Sequence, residues 1–327
     1  MLRVAAPAKL NLDLRVGPPR EDGYHPLVSW FVAISLADTL TFEASATPDV
    51  RLTCSDPALS CGDDNLVVKA AKAALGERAK DLGVQVHLEK RIPMGGGLGG
   101  GSSDAAATLR GVRNLLGLPL GRHELLRLAE RLGSDVPFFV SGVDSAVCAG
   151  RGEAVYPVPL PPGRWWAVLV CPGAGVSTAE VYRRFDLMGS GHHLPPVEKA
   201  IERARAWSRR PAAAVMDELV NDLEPAAVQL APWLDAVRQV AEQAVGAAFR
   251  MTGSGSTFFR LFDDERSARD AAGRLTRAFG IPASPRVGQA TPSTAVSGNV
   301  RLHVVSVGGP PADAPDGQPA RGPRPGR

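Results

Sequence analysis

No apolar run in the 327 residues approaches the roughly 20 that a membrane-spanning helix needs; the longest, 27–37, is short and carries two serines. The opening residues, MLRVAAPAKLNLDL, lack a basic region followed by a long apolar stretch and are poor in Arg and Ser. They predict neither a secretory signal nor a transit peptide, and so a cytoplasmic location. Cysteine is scarce: Cys54, Cys61, Cys148 and Cys171 form no CxxC pair, so zinc is unsupported. Cys54 and Cys61 flank a loop-like segment and could pair, but free thiols suit a cytosolic chain better. A charge excess is missing too. Thirty-seven basic and 34 acidic residues leave a formal +3, too mild to call for nucleic acid or an anionic membrane as partner.

Glycine (35) and proline (28) are plentiful. Residues 308–327 hold eleven of them in twenty positions and no large apolar side chain. Such a segment cannot offset its ordering entropy, which predicts a disordered tail. With 44% hydrophobic and 22% charged residues, the remainder reads as globular, with two domains or one large one.

Strands are predicted at 4–6 and 10–16, where Leu10, Leu12, Leu14 and Val16 alternate with polar residues, and at 28–35, 39–43, 50–54 and 84–89. Helices are predicted at 65–75, 102–116 and 122–132. The second half opens on a strand at 165–171. Helices follow at 177–185, 197–208, 211–219, 231–245 and 264–279, with a strand pair near 247–251 and 257–262 and a last strand at 300–307. Segregated strands and helices point to an α+β fold rather than a doubly wound sheet. The YPVPLPPG stretch divides the chain into domains at 1–155 and 156–307. Residues 281–299, rich in Pro, Ser, Thr and Gly, read as a loose loop.

The loop PMGGGLGGGSS, 93–103, stands between a strand and a helix, where a plain linker has no place. Glycine permits positive φ and lets a phosphate approach the backbone. The following helix aims its free N–H groups and positive dipole end at the same spot. The loop comprises Pro93, Met94, Gly95, Gly96, Gly97, Leu98, Gly99, Gly100, Gly101, Ser102 and Ser103. The two serines either cap the helix or offer hydroxyls to phosphate or metal. Without a lysine it is no Walker A loop. Gly95, Gly97 and Gly100 satisfy GxGxxG, but a dinucleotide fold needs a strand after the helix, and a helix follows instead. The HRD and DFG motifs of protein kinases are absent.

PAKLNL (7–12), the glycine loop and MTGSGSTFF (251–259) together resemble the GHMP kinase superfamily of small-molecule kinases. The resemblance narrows with EDGYHPL, GDDNLVVKAA, KRIPMGGGLGGGSSDAA and LGSDVPFF, which are similar to the 4-diphosphocytidyl-2-C-methyl-D-erythritol kinase family of the non-mevalonate isoprenoid pathway. The match covers roughly 3–280 and is densest over the first 140 residues. It implies a two-domain fold with its active site in the interdomain cleft. The implied reaction moves the γ-phosphoryl group of ATP to the 2-hydroxyl of the cytidine-diphosphate-linked methylerythritol.

Within that resemblance Asp135 accepts the substrate hydroxyl proton, and Lys9 orients the hydroxyl and neutralises developing charge. Positioning and charge stabilisation matter more to phosphoryl transfer than base strength. Tyr24 is placed to stack on the cytosine and His25 to bond its edge. Asn11 faces the same side as Lys9 on a strand and is a substrate contact. Thr178 and Tyr182, in VSTAEVY, supply a polar contact and a second stacking face. Residues 252–256 close over the phosphates. Asn65 is a helix cap or a ligand contact; Asp104 is turned away from the phosphates. A Mg²⁺ ion is expected, with Ser102, Ser103 and Asp135 the available contacts and no dedicated cage in view. Rival readings are a GHMP kinase for homoserine or mevalonate, a non-catalytic nucleotide-binding module on the same fold, and an NAD-dependent oxidoreductase. Tyr24, His25 and Tyr182 favour a pyrimidine substrate, and the joint presence of Lys9 and Asp135 favours catalysis.

Overall fold

The computed structural model describes residues 1–160, 164–191, 193–281 and 300–308. Nearly all of the expected loop at 281–299 and of the expected tail at 308–327 lies outside the described residues. The first half runs β1 (Leu2–Val16), β2 (Leu27–Ser45), β3 (Val50–Cys54), α1 (Leu66–Leu75), β4 (Gly83–Glu89), α2 (Gly100–Leu116), α3 (Arg122–Leu132), α4 (Val136–Ser141), β5 (Ser145–Gly150) and β6 (Ala154–Pro157). The second runs β7 (Trp165–Cys171), α5 (Thr178–Leu187), α6 (Val197–Trp207), α7 (Ala212–Met216), α8 (Glu224–Leu230), α9 (Trp233–Val245), β8 (Arg250–Met251), β9 (Phe258–Phe262), α10 (Glu265–Ala278) and β10 (Arg301–Val307).

The strands follow the order β3-β4-β2-β10-β7-β9-β8, with β1 and β5 also paired to β2, and β6 to β5. Only β3–β4 is parallel among these pairs, as the α+β expectation requires. β10 lies beside β7 along its whole length and touches β2 through Val307–Ile34.

Two expected strand pairs are single long strands. Residues 4–6 and 10–16 belong to β1, and 28–35 and 39–43 to β2. Pro7 falls in the gap between the first two of these expected strands; the ladder shifts register between Pro7 and Lys9, so the missing N–H falls at a bulge. Asp38, in the gap between the other two, is fully buried and takes hydrogen bonds from Arg91 N and Ile92 N. α4, β5, β6 and α8 were not expected. Each is short, and none shows a clear apolar period.

Alanines 105, 106 and 107 of α2 are fully buried. Their small side chains let the helix lie close on α1 and on β1–β2. Phe31 of β2 meets Phe138 of α4 edge to face at 5.4 Å, a contact of roughly 0.5–1.5 kcal/mol beyond its buried area. A second core joins the two halves: Leu10, Leu12 and Trp30 pack with Trp165, Trp207 and Val305. The N-terminal strand that carries Lys9 is thereby held from both sides.

Candidate active site

The glycine loop leaves β4 and turns into α2. Gly95, Gly97 and Gly99 take positive φ values of 69°, 76° and 69°, which side chains larger than hydrogen disfavour. Gly99 is the N-cap, so α2 begins at Gly100, two residues before the expected start. Ser102 and Ser103 therefore lie inside the first turns and do not cap the helix. Ser103 is fully buried and its hydroxyl has no partner among the described residues. The free N–H groups of the first turn face the loop, as an anion site needs.

The second small-residue loop rests on the first. Thr257 N donates to Gly96 O at 3.3 Å. A methyl group on Gly255 would stand 2.2 Å from Gly97 N, and one on Gly97 would stand 2.3 Å from Thr252 O. The absence of side chains is what allows the two backbones to meet.

Two cavities flank the glycine loop. One, of about 460 Å³, is lined by residues 93–102 together with Asn65, Lys90 and Asp104. The other, of about 610 Å³, gathers Lys9, Asn11, Tyr24, His25, Asp135, Thr178 and Tyr182. Gly97 and Gly99 line both, so the loop is the wall between them.

In the larger cavity Lys9 is 4% exposed, and its Nζ lies 3.3 Å from Asp135 Oδ2, whose side chain is 27% exposed. At an effective dielectric near 20 this attraction is of order 4–5 kcal/mol before desolvation. The ammonium also donates to Asn11 Oδ1 and lies 4.7 Å above the Phe31 ring. Asn11 is fixed in turn by Ser29 Oγ and, through its backbone N–H, by Thr252 Oγ1. Register shifts on either side of Lys9 and Asn11 aim the pair inward. Lys9 N donates to Leu98 O at 3.0 Å, tying the strand to the glycine loop. Asp135 stands at the N-cap position of the short α4, its side chain making no cap bond, and is delivered by the turn after α3.

At the other end, His25 is buried against Tyr182, ring centroids 5.1 Å apart. Its Nδ1 faces Gly17 O at 2.8 Å, and its Nε2 faces Asp186 Oδ1 at 3.2 Å. Burial pushes the Tyr182 hydroxyl up to about 12, so it stays neutral. Tyr24 is 54% exposed, with the Arg151 guanidinium 4.9 Å from its ring centre. Thr178 bonds Ser254 Oγ at 2.8 Å, linking α5 to the second loop. All the expected substrate contacts thus line one cavity.

Several neighbours were not anticipated. Lys90 is buried between Asp38 and Asp104, its Nζ 2.5 Å and 2.9 Å from their carboxylates. Burial outweighs the pull of the ammonium on Asp104 and raises that carboxyl to about 7. Asp104, expected to turn away from the phosphates, pairs with Lys90 and lines the smaller cavity. Asn65 caps α1 by accepting from Val67 N while lining the smaller cavity. Arg151, Arg183 and Asp186 complete the charged lining of the larger one. Only the "KR" before the glycine loop could have signalled Lys90. The others come from distant segments without a motif.

No three His, Cys, Asp or Glu side chains gather into a metal cluster among the described residues. The donors near the loop, hydroxyls of α2 and the Asp135 carboxylate, fit a Mg²⁺ carried mainly by phosphates and water. All four cysteines are free, Cys54 and Cys61 included.

The model of the GHMP kinases N terminal domain matches residues 65–143, and that of the GHMP kinases C terminal domain matches 195–281. A 4-diphosphocytidyl-2-C-methyl-D-erythritol kinase of Synechococcus sp. (strain CC9605) is 42% identical over 291 residues, 84% of this chain and 92% of that protein. One of Nocardioides sp. is 40% identical over 284 residues, with the same coverage. A crystal structure of 4-(cytidine 5'-diphospho)-2C-methyl-D-erythritol kinase superposes with a TM-score of 0.70 at 36% identity, covering 93% of this chain and 99% of that one. Homoserine kinase from Cytophaga hutchinsonii shares the fold, with a TM-score of 0.64 at 18% identity over 95% of this chain and 96% of its own. The chain belongs to the 4-diphosphocytidyl-2-C-methyl-D-erythritol kinase family of the GHMP kinases.

Proposed function

We infer that this chain transfers the γ-phosphoryl group of ATP to the 2-hydroxyl of 4-diphosphocytidyl-2-C-methyl-D-erythritol, giving the 2-phosphate and ADP. The observation that carries the reading is the pair of cavities sharing Gly97 and Gly99, with Lys9 and Asp135 on one side of that wall. ATP occupies the smaller cavity, its phosphates against the glycine loop and the N-terminus of α2. The substrate occupies the larger, its pyrimidine toward Tyr24, His25 and Tyr182 and its hydroxyl toward Asp135. Arg151 and Arg183 line the same cavity and meet the substrate diphosphate. Residues from 1–155 and from 156–307 both line the larger cavity.

Lys9, held by Asn11 and Asp135, orients the acceptor hydroxyl and offsets the charge that grows on the transferring group. Asp135 positions the same hydroxyl and takes its proton late. Transfer is in line, with no phosphoenzyme. The Asp135 and Ser102 oxygens would help hold Mg²⁺ beside the phosphates and water, and the ion would supply charge neutralisation. A cytoplasmic location is part of this proposal; no described helix is long and apolar enough to cross a membrane.

The test is ADP release from ATP and Mg²⁺ with the cytidine substrate, with homoserine and mevalonate run beside it. Turnover with the cytidine substrate alone is the expected result. Turnover with one of the others in its place, or none at all despite ATP binding, overturns the assignment.

A further inference from the structure

Between α7 and α8 the chain runs irregularly through 217–223, and its polar groups bind two distant elements. On one side it is stitched to β1. Leu14 N donates to Val220 O at 2.8 Å, Asp222 N donates to Leu14 O at 3.0 Å, and Val16 N donates to Asp222 Oδ2 at 3.0 Å. On the other side Asn221 holds the second small-residue loop. Its Nδ2 donates to Met251 O and to Gly253 O, both at 2.8 Å, and its Oδ1 accepts from Leu223 N at 3.0 Å. Only the NH₂ end of an amide can face two carbonyl oxygens, so the buried side chain has one orientation. Glu224 Oε2 adds a bond from Met251 N at 3.1 Å. Asn221 and Glu224 line a separate recess, outside both cavities beside the glycine loop.

A planar trans peptide points its N–H opposite to its C=O. With Gly253 O turned toward Asn221, Ser254 N–H turns away from it, to the side on which Gly253 and Ser254 line the larger cavity. Ser254 N has no hydrogen-bond partner among the described residues. The peptide also stands close to the catalytic pair and the first glycine loop: a methyl group on Gly253 would lie 3.2 Å from both Asn11 Oδ1 and Gly97 O. We propose that Asn221 is a positioning residue for phosphoryl transfer, fixing the Gly253–Ser254 peptide so that Ser254 N–H donates to the transferring phosphoryl group of ATP. A donor set in place beforehand needs no reorganisation as charge develops. An aspartate at 221 would set a carboxylate oxygen against two carbonyl oxygens, so the amide is required. The inference rests on the reading that ATP phosphates meet the glycine loop.

Two measurements on the full chain test it. The first is steady-state ADP release by wild type, Asn221→Ala, Asn221→Ser and Asp222→Ala. Asn221→Ala is expected to lower kcat by about 10- to 100-fold, with Kd for ATP and KM for the cytidine substrate changed far less. Asn221→Ser keeps one donor and is expected to fall between, and it serves where the alanine variant does not fold. Asp222→Ala removes a stitch to Val16 N from the same segment and is expected to lower the thermal midpoint but not kcat. The second measurement needs no cytidine substrate: the amide resonance of Ser254 is followed as ATP and Mg²⁺ are added. It is expected to move in wild type and to stay in Asn221→Ala. An unchanged kcat in Asn221→Ala overturns the proposal, as does a loss of ATP affinity as large as the loss of kcat. An equal fall of kcat in Asp222→Ala overturns it too, by reducing Asn221 to a support for the fold, and so does a Ser254 amide that ignores ATP in wild type. A wild type that binds ATP without turning over the cytidine substrate overturns the proposed reaction instead, and the Ser254 resonance then still decides the role of Asn221.

Discussion

The Lys9 ammonium and the Asp135 carboxylate form an ion pair at 3.3 Å between two segments 126 residues apart in sequence, one on a bulged strand and one at a helix cap. Each partner holds the other in the larger cavity, directly against the glycine loop. Asp135→Asn is expected to lower kcat by about 10²- to 10⁴-fold with KM for ATP little changed. Lys9→Met is expected to do the same, and the double variant to lose little more than either single one, because the two act as a unit. Steady-state ADP release checks all three.

Gly255 has no space for a side chain, its missing methyl falling 2.2 Å from Gly97 N. Gly255→Ala must push the two loops apart. Its Kd for ATP, measured by titration, is expected to rise more than tenfold, since a displacement near 1 Å suffices for a large loss of alignment. Gly101→Ala is the contrast. Its added methyl would meet nothing nearer than a Leu66 methyl group at 3.6 Å. Its folding stability is expected to hold or rise by up to ~1 kcal/mol, read by denaturant unfolding.

Asp38 anchors the segment that leads into the glycine loop, bonding Arg91 N, Ile92 N and Lys90 Nζ from a fully buried position. Asp38→Ala orphans two backbone N–H groups and half of the Lys90 pairing. A loss on the order of 3 kcal/mol is expected in chemical denaturation. The conservative Asp38→Asn keeps one acceptor oxygen and should recover part of it.

Asp104 sets a pH dependence. Burial raises its carboxyl from near 3.8 to about 7 in the folded chain, so the folded state binds this proton more tightly than the unfolded one. The resulting stability is complete below about pH 4 and is lost as pH rises through about 7. Asp104→Asn, permanently neutral and of the same shape, should escape that loss. Thermal midpoints measured from pH 5 to 8 are expected to fall for wild type relative to the variant, which becomes the more stable by a few degrees at pH 8. Parallel curves would mean that Lys90 holds the carboxylate charged throughout.

Where the sequence marks both ends of an element with turn formers, its bounds could be read directly. β3, α3 and β7 lie where they were expected. Where the signal is local but the structure is not, it could not. The Ser145–Gly150 strand is made of small residues with no alternation, and it becomes a strand because β2 offers it an edge. Pro7 stops a strand by local rules, and only the bulge against β2 explains its presence inside one. The site shows the same division. Lys9, Asn11, Asp135 and the glycine loop sit in dense motifs, and the fold brings them together. Asp38 and Asp186 carry no motif, and Lys90 opens the KRIPMGGG segment without any sign of its partners. Asp38 and Lys90 are 52 residues apart, and nothing in either segment announces that they meet beneath the loop.

β10 has a consequence for how the molecule is made. It lies between β2 and β7, and the residues named in both cavities come before it in the chain. During synthesis each half of the catalytic cleft therefore leaves the ribosome before the strand that ties them edge to edge. The nascent chain holds a complete set of reactive side chains without the strand that joins β2 to β7. Only when Val307 reaches Ile34 does hydrogen bonding run unbroken from β3 to β8.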